Sequence, residues 1–200
     1  MNIDNGTYDK NDNKVNNRKL KIADMTKIAL CTALLTVSSF FVLPLPFTPV
    51  VLSFHTIAVN ITGLILKPRY AACSVFIYLM LGLVGLPVFS GGTSGPGKLF
   101  GITGGFYFGF LFAVILISIF KGKKISVIRY IAVTLCLGLP VQHLFAMLFM
   151  CFYNGFNVYS AFISVSLPFI PGDIIKCFLA SVMGAALNKV ILKTSVYTDV

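Results

Sequence analysis

The sequence has no glutamate and no tryptophan, and it is poor in charge altogether. Only 11% of its 200 residues are Asp, Glu, Lys or Arg, whereas soluble domains carry about 25%. Because 57% of the residues are hydrophobic and the mean hydropathy is +0.90, the composition excludes an ordinary soluble domain and predicts a single integral membrane domain. Without tryptophan, any interfacial aromatic belt must consist of tyrosine and phenylalanine.

Motifs for metals, disulfides and nucleotides are also missing. The five cysteines fall in or beside apolar runs without CxxC or Cys/His spacing, which favours small buried side chains over disulfides or metal ligands. No GxxxxGK[ST] occurs, so the chain cannot hydrolyse ATP by the P-loop route. The net charge of +10 comes from short basic clusters between apolar runs, which is typical of membrane orientation and argues against a nucleic-acid partner. We therefore expect no metal and no cofactor.

The chain divides into a polar tail and an apolar domain. Residues 1–24 are rich in Asn, Asp and Lys and have no apolar core, so they are predicted to be a disordered extension and not a secretory signal peptide. Residues 25–200 are predicted to be an all-α membrane domain, because a helix needs about 20 apolar residues to cross the bilayer. Six spans are expected, with a kink at Gly138 and Pro140 in the fifth: Thr26–Leu43, Val50–Leu66, Tyr70–Leu86, Gly105–Phe120, Ile128–Phe152 and Asp173–Leu192.

The basic residues predict how these spans are oriented. With six spans, one face receives every Lys and Arg except Lys98 and Lys176. The positive-inside rule then places both termini in the cytoplasm and leaves Asp173 at the outer face. The apolar piece Val158–Ile170 is short for a span, and we interpret it as a partly helical loop. A seventh span there would move the basic C-terminal end outside, which fits the rule worse.

One carboxylate stands alone in the apolar part of the chain. Asp173 is the only acidic residue between Asp24 and Asp199, and Lys176 follows it by three positions. An aspartate after Pro171-Gly172 can serve simply as a helix cap that complements the helix dipole. Capping does not explain why a lysine is kept one turn deeper, and an ionisable residue at membrane depth indicates a functional site.

A Gly-rich stretch, Phe89–Gly105, lies on the same predicted outer face; we call it the lid segment. A flexible loop would be the simplest interpretation, because glycine adopts conformations that other residues avoid. The stretch nevertheless holds Leu99 and Phe100, which suit a solvated linker poorly, and it runs into the aromatic residues Phe106-Tyr107-Phe108. These features favour a loop that folds over a bound molecule.

Two small-residue faces and two histidines lie within the predicted spans. Ala29-xxx-Ala33 and Ala180-xxx-Gly184 allow close helix approach, and internal packing is the simpler interpretation of each. His55 and His143 have no carboxylate near them in sequence, so both are predicted to be hydrogen-bonded interior residues.

One enzymatic pattern remains open. Gly92-Thr93-Ser94-Gly95 matches the GxSG of rhomboid-type intramembrane proteases, with His143 as the possible base. A Gly/Ser-rich loop produces so short a motif easily. Pro96-Gly97 also breaks any helix after Ser94, whereas the rhomboid serine opens one.

Three motifs together resemble the BioY family, the biotin-binding S components of energy-coupling-factor (ECF) transporters. They are Gly85-Leu86-Pro87-Val88-Phe89-Ser90-Gly91-Gly92, Gly101-Ile102-Thr103-Gly104-Gly105-Phe106, and Pro168-Phe169-Ile170-Pro171-Gly172-Asp173-Ile174-Ile175-Lys176. The resemblance runs from about Met25 to Leu192 and implies an S-component fold with no enzymatic activity of its own. It assigns biotin binding to Asp173, Lys176, Phe89, Gly91, Gly92, Thr93, Thr103, Gly104 and Tyr107.

The resemblance also implies partners and a location. Ala29 and Ala33 would contact a transmembrane coupling subunit, and a pair of ATPases would supply the energy in trans. The protein would be a multi-pass component of a prokaryotic plasma membrane that captures biotin outside the cell.

This chain departs from the family pattern within the lid segment. Where the family usually has Gly-Pro-Thr-Gly-Gly-Tyr, this chain reads Gly-Ile-Thr-Gly-Gly-Phe at positions 101–106. A shared scaffold does not determine the ligand, so an S component or small carrier for another vitamin or heterocycle remains an alternative.

Overall fold

Prolines and glycines begin and end the helices of this protein. The computed structural model describes residues 22–43 and 52–198, and these are mostly helical, with one short hairpin and several connecting turns. The elements in chain order are α1 (Ile22–Ser38), β1 (Val42–Leu43), β2 (Leu52–Ser53), α2 (His55–Ile65), α3 (Pro68–Val84), α4 (Pro96–Leu99), α5 (Gly104–Phe120), α6 (Val127–Val133), a π-helical segment (Thr134–Gly138), α7 (Leu139–Asn154), α8 (Val158–Ala161), a second π-helical segment (Phe162–Ser166) and α9 (Ile170–Thr198).

Helix α3 illustrates these local signals. Pro68 occupies its first turn, where a missing N–H is harmless. Gly85 ends the helix with φ of 110°, a left-handed conformation that glycine adopts without a steric penalty. Its N–H donates back to the carbonyl of Gly82. The predicted third span and α3 therefore differ only by about one half-turn at each end.

The second span is predicted too long. Helix α2 has 11 residues and begins at His55, and the preceding residues Leu52–Ser53 instead pair with Val42–Leu43 as an antiparallel hairpin. Hydropathy alone does not separate an apolar strand from an apolar helix. Helix α1 is shifted from the predicted first span: it begins earlier, at Ile22, and ends at Ser38, because Val42–Leu43 belong to the hairpin and not to a longer helix. Residues 22–24 therefore belong to α1 and not to the tail. Predictions for residues 1–21, the prolines at 44, 46 and 49, Val50 and residues 199–200 lie outside the described residues.

The predicted irregularity of the fifth span is a π-helical segment. Helices α6 and α7 continue into each other through Thr134–Gly138, just before Pro140. Proline cannot donate to the carbonyl four residues earlier, and a wider π turn accommodates that missing bond. Val127–Tyr153 and Ile170–Lys193 are long and apolar enough to cross a membrane. Three shorter apolar helices accompany them, namely α2, α3 and α5.

Helix α2 occupies the centre of the described fold, where it packs against α1, α3, α5 and α9. Its C-terminal carbonyls would have no partner in a membrane interior, where each unsatisfied group is costly. Lys121, just beyond the end of α5, donates from Nζ to the carbonyls of Gly63 (3.3 Å), Leu64 (2.9 Å) and Leu66 (2.6 Å). One lysine therefore caps the central helix.

The small-residue face of α9 serves internal packing. Ala180 is fully buried, and a Cβ at Gly184 would lie 2.9 Å from Cδ1 of Leu64 on α2. The segment after α7 is partly helical, as predicted: α8 and the second π-helical segment bring Ala161 and Phe169 against Ala146. This packing carries the chain into the first turn of α9.

Candidate functional site

The first turn of α9 carries the buried ion pair. Asp173 and Lys176 are only 6% and 7% exposed. Lys176 Nζ lies 2.8 Å from Asp173 Oδ1, because residues three apart on a helix share a face. The pair therefore lies inside the protein and not on a lipid-facing surface.

Three further elements hold this pair in place. His143 on α7 lies with Nε2 3.1 Å from Asp173 Oδ2. Lys176 Nζ donates a second bond to the Ser53 carbonyl of β2 at 2.8 Å. Thr56 on α2 donates a long bond of 3.5 Å to Asp173 Oδ1. Paired and hydrogen-bonded in this way, a buried carboxylate and a buried ammonium are tolerable in an apolar interior.

His143 is the residue that sequence reasoning missed. It is an interior, hydrogen-bonded histidine as predicted, but its partner is a carboxylate, contrary to the sequence-based expectation. Thirty positions separate it from Asp173, so no local spacing indicated the contact. The available signal was scarcity: Asp173 is the only carboxylate in the apolar part of the chain with which an interior histidine can pair.

Asp173 and Lys176 line a cavity that lies beneath the lid segment. The cavity has about 580 Å³ of empty space, counted to its open mouth. The centre of a water-sized sphere can occupy only about 60 Å³ of it without touching the walls. Its walls therefore lie close together. The lining residues are Ser53, Thr56, Ser90, Lys98, Thr103, Phe106, Tyr107, Phe110, Phe169, Asp173 and Lys176. Of the residues predicted to bind a ligand, Asp173, Lys176, Thr103 and Tyr107 are among them.

The other predicted lid residues lie outside this lining. Phe89 is fully buried, with its ring over Gly82, where even a single Cβ would come within 2.2 Å of it. Gly91 and Gly92 have φ of 78° and 68° and form the turn that lets Phe89 and Thr93 pair as a bridge. These glycines therefore shape the lid segment at a turn that requires positive φ.

Gly104 also serves packing. A Cβ there would approach the Leu99 carbonyl to 2.0 Å, so only glycine lets α4 lie so close to the start of α5. Leu99 itself is 3% exposed. This buried anchor holds α4, and with it the outer wall of the cavity, against the protein core.

A chain of hydrogen bonds ties the lid segment to the core. Ser90 N–H donates to Tyr107 Oη at 3.1 Å. Ser90 Oγ lies 3.4 Å from His55 Nδ1, and His55 Nε2 lies 2.7 Å from Tyr78 Oη. His55 is fully buried and is the hydrogen-bonded interior histidine that the sequence predicts. Through it, Ser90 is held at the cavity wall.

The site retains free hydrogen-bonding capacity. An ammonium has three N–H donors, and Lys176 uses two of them, on Asp173 and Ser53. A carboxylate offers about four lone-pair positions, and the described partners of Asp173 occupy three. Counted over the described partners, one N–H of Lys176 and one lone pair of Asp173 remain, in a cavity that Phe106 and Phe110 also line.

The geometry does not assemble a serine-protease site. His143 Nε2 bonds to Asp173, whereas Ser94 is exposed on the lid segment and does not line the cavity. Among the described residues, His143 makes no hydrogen bond to a serine.

A second concave surface lies between α1 and α3. Ala29 and Ala33 are both exposed and form part of its floor, with Ile77 and Leu81 of α3 on the other side. The groove is almost entirely apolar, with about 1080 Å³ of empty space counted to its open mouth. The small alanine side chains keep it open.

Known proteins resemble this chain along nearly its whole length. A family model described as "BioY family" matches residues 12–193. The chain is 34% identical to "Biotin transporter BioY2" of Lactococcus lactis, over 88% of this chain and 96% of that protein. It is 33% identical to "Probable biotin transporter BioY" of Pyrococcus horikoshii, over 84% and 98% respectively. A crystal structure of "the S-component for biotin from an ECF-type ABC transporter" superposes with a TM-score of 0.77 at 28% identity, over 90% of this chain and 94% of that one.

Proposed function

The chain belongs to the BioY family, and from that membership we propose that it is a biotin-binding S component that serves biotin uptake by an ECF-type transporter. The observation that carries the proposal is the agreement between its relatives and its own cavity. The relatives are named as biotin transporters, and the cavity places a buried carboxylate–ammonium pair against aromatic walls. The protein is a transporter component and not an enzyme.

Biotin matches the free capacity of this site. Its ureido ring has two N–H donors and one carbonyl acceptor. One N–H would complement the spare lone pair of Asp173, and the carbonyl would complement the spare N–H of Lys176. Such charge-assisted bonds are stronger than bonds between neutral groups. Phe106, Phe110 and Phe169 would cover the apolar sulfur ring, since binding pockets are mostly apolar with a few directed polar groups. Thr103 and Tyr107 would complete the polar contacts.

The protein would cross the membrane six times, with α1, α2, α3, α5, the α6–α7 unit and α9 as the crossing elements. The first turns of helix α9 support a bilayer environment, because large apolar side chains are exposed there while the two ionisable residues are buried. Ile175 and Phe178 are 63% and 53% exposed, whereas Asp173 and Lys176 face inward. The excess of basic residues between the spans favours cytoplasmic termini and a cavity open to the cell exterior.

Energised uptake would need partner subunits. The sequence has no P-loop motif, so a pair of ATPases would act in trans. The apolar groove along Ala29 and Ala33 would receive the transmembrane coupling subunit, because small residues let membrane helices approach closely. The complete complex would belong to the plasma membrane of a prokaryote, because the relatives come from prokaryotes.

The test is calorimetry of the purified, detergent-solubilised protein against a panel of vitamins. Biotin should bind with one site per chain, and biotin should co-purify with protein expressed in its presence. Saturable binding of another vitamin with no response to biotin would reject biotin while keeping the S-component assignment. Binding of no vitamin at all would reject both.

A further inference from the structure

The cavity wall contains a second lysine that the ion pair does not use. Lys98 on α4 lines the cavity together with Asp173 and Lys176. Across residues 22–43 and 52–198, no hydrogen bond or ion pair occupies its ammonium group. The buried anchor Leu99 adjoins it and holds α4 to the core, so the position of Lys98 relative to the cavity is set by packing.

Within residues 22–43 and 52–198, no carboxylate is free to neutralise this charge. Asp173 is the only acidic residue between Asp24 and Asp199, and it already bonds to Lys176 and His143. Asp24 lies in the first turn of α1, far in sequence from the lid segment. The ionised groups along the described cavity wall are therefore Lys98, Lys176 and Asp173, which leaves one uncompensated positive charge.

His143 does not change this balance. Its Nδ1 is buried and has no partner among the described atoms. A neutral ring that donates from Nε2 to Asp173 leaves Nδ1 as an unpaired acceptor. A protonated ring would place an unpaired N–H and a second surplus charge in the interior, which costs more. The hydrogen-bond pattern therefore assigns the neutral ring.

We propose that Lys98 binds the carboxylate of the ligand's aliphatic arm, with the neutral head of the ligand at Asp173 and Lys176. This inference rests on the proposed function and adds the orientation of the ligand and the charge that the site selects. A monoanion would neutralise the cavity, and its attraction to Lys98 is strengthened where the lid segment excludes water. Lys176 is unsuited to the carboxylate because Asp173 already neutralises it.

The test compares biotin with its primary amide, which has the same ring and arm but no charge. Titration calorimetry would give Kd for both ligands with the unchanged protein, Lys98→Met and Lys98→Arg. Methionine keeps the apolar stem of lysine and removes only the charge. Lys124→Met is the matched control, because it removes an exposed positive charge on the loop after α5 that does not line the cavity.

The unchanged protein should prefer biotin to the amide by roughly tenfold, the scale of a hydrogen bond to a charged group. Lys98→Met should weaken biotin binding by a similar factor and leave amide binding within about twofold, so that the preference disappears. Lys98→Arg should restore the preference, and Lys124→Met should match the unchanged protein. The preference should also shrink as salt is raised.

Two outcomes would overturn the assignment separately from the proposed function. If Lys98→Met binds both ligands as the unchanged protein does, Lys98 is only a solvated lid residue. If it weakens both ligands equally, its role is to hold the lid segment. Failure of the unchanged protein to bind biotin at all would instead overturn the proposed function, and the assignment of Lys98 with it.

Discussion

Replacing Asp173 and Lys176 singly and together separates their contribution to stability from their contribution to binding. Both side chains are less than one-tenth exposed and lie 2.8 Å apart. Removing one partner of a buried ion pair leaves an uncompensated charge and costs about 3–5 kcal/mol. For a chain of about 200 residues that corresponds to a fall in Tm of roughly 6–20 °C. Replacing both partners removes the charges together, so the double variant should be close to the unchanged protein in stability.

The two single variants should not be equally destabilised. In Lys176→Met, Asp173 keeps its bonds to His143 at 3.1 Å and to Thr56 at 3.5 Å, so the carboxylate stays hydrogen-bonded by two side chains. In Asp173→Asn, Lys176 keeps only neutral partners, such as the Ser53 carbonyl at 2.8 Å. We therefore expect Asp173→Asn to be the less stable of the two.

The assay is thermal unfolding in detergent without ligand, paired with calorimetry using biotin. All three variants should lose biotin affinity sharply, including the stable double variant. Ser181→Ala is the control on the same helix: it removes a buried, neutral hydrogen bond to Thr134 of 3.1 Å and should cost about 1 kcal/mol without changing affinity. A double variant as unstable as the single variants would make the pair structural, and a double variant that still binds biotin would refute the proposed site.

Two further predictions concern the groove and the cap of α2. Ala33→Leu should fill the apolar groove, spare biotin binding and impair energised uptake in cells. Leu34→Phe, outside the groove lining, should leave both binding and uptake unchanged. Normal uptake by Ala33→Leu would exclude this docking face. Burial lowers the pKa of Lys121 from 10.5 to about 8, so the folded state binds fewer protons than the unfolded state between these pH values. The unchanged protein should therefore gain Tm relative to Lys121→Met as pH rises through this window, while Lys121→Arg, which stays charged, should show no such gain; a constant difference would contradict the lowered pKa.

The positions of most helices could be predicted because their signals are local. Apolar runs give the spans, and residues such as Pro68, Gly85 and Lys121 lie at helix boundaries. The exceptions are the end of the first span and the start of the second, where Val42–Leu43 and Leu52–Ser53 form two short strands instead of longer helices. Hydropathy measures how apolar a residue is and carries little information about the backbone conformation of a short run.

The candidate site could be predicted only in part. Asp173 and Lys176 were visible because a charge in an apolar chain is rare and because residues three apart share a helix face. The resemblance assigns ligand contacts to Gly91 and Gly92 as well, and in the structure these residues form a turn outside the cavity lining. A shared motif does not distinguish a glycine needed for backbone conformation from one needed for approach to a ligand.

Charge scarcity, hydropathy and short spacings, read from the chain alone, were enough to identify a membrane protein with one buried carboxylate–ammonium pair. Packing of distant helices decided what surrounds that pair. It brought His143 to Asp173 across 30 positions and the Ser53 carbonyl to Lys176, and it turned Lys98 toward the same cavity. Local patterns are set by residues that are neighbours along the chain, whereas the partners of a buried charge are set by how helices pack, which no spacing along the chain encodes.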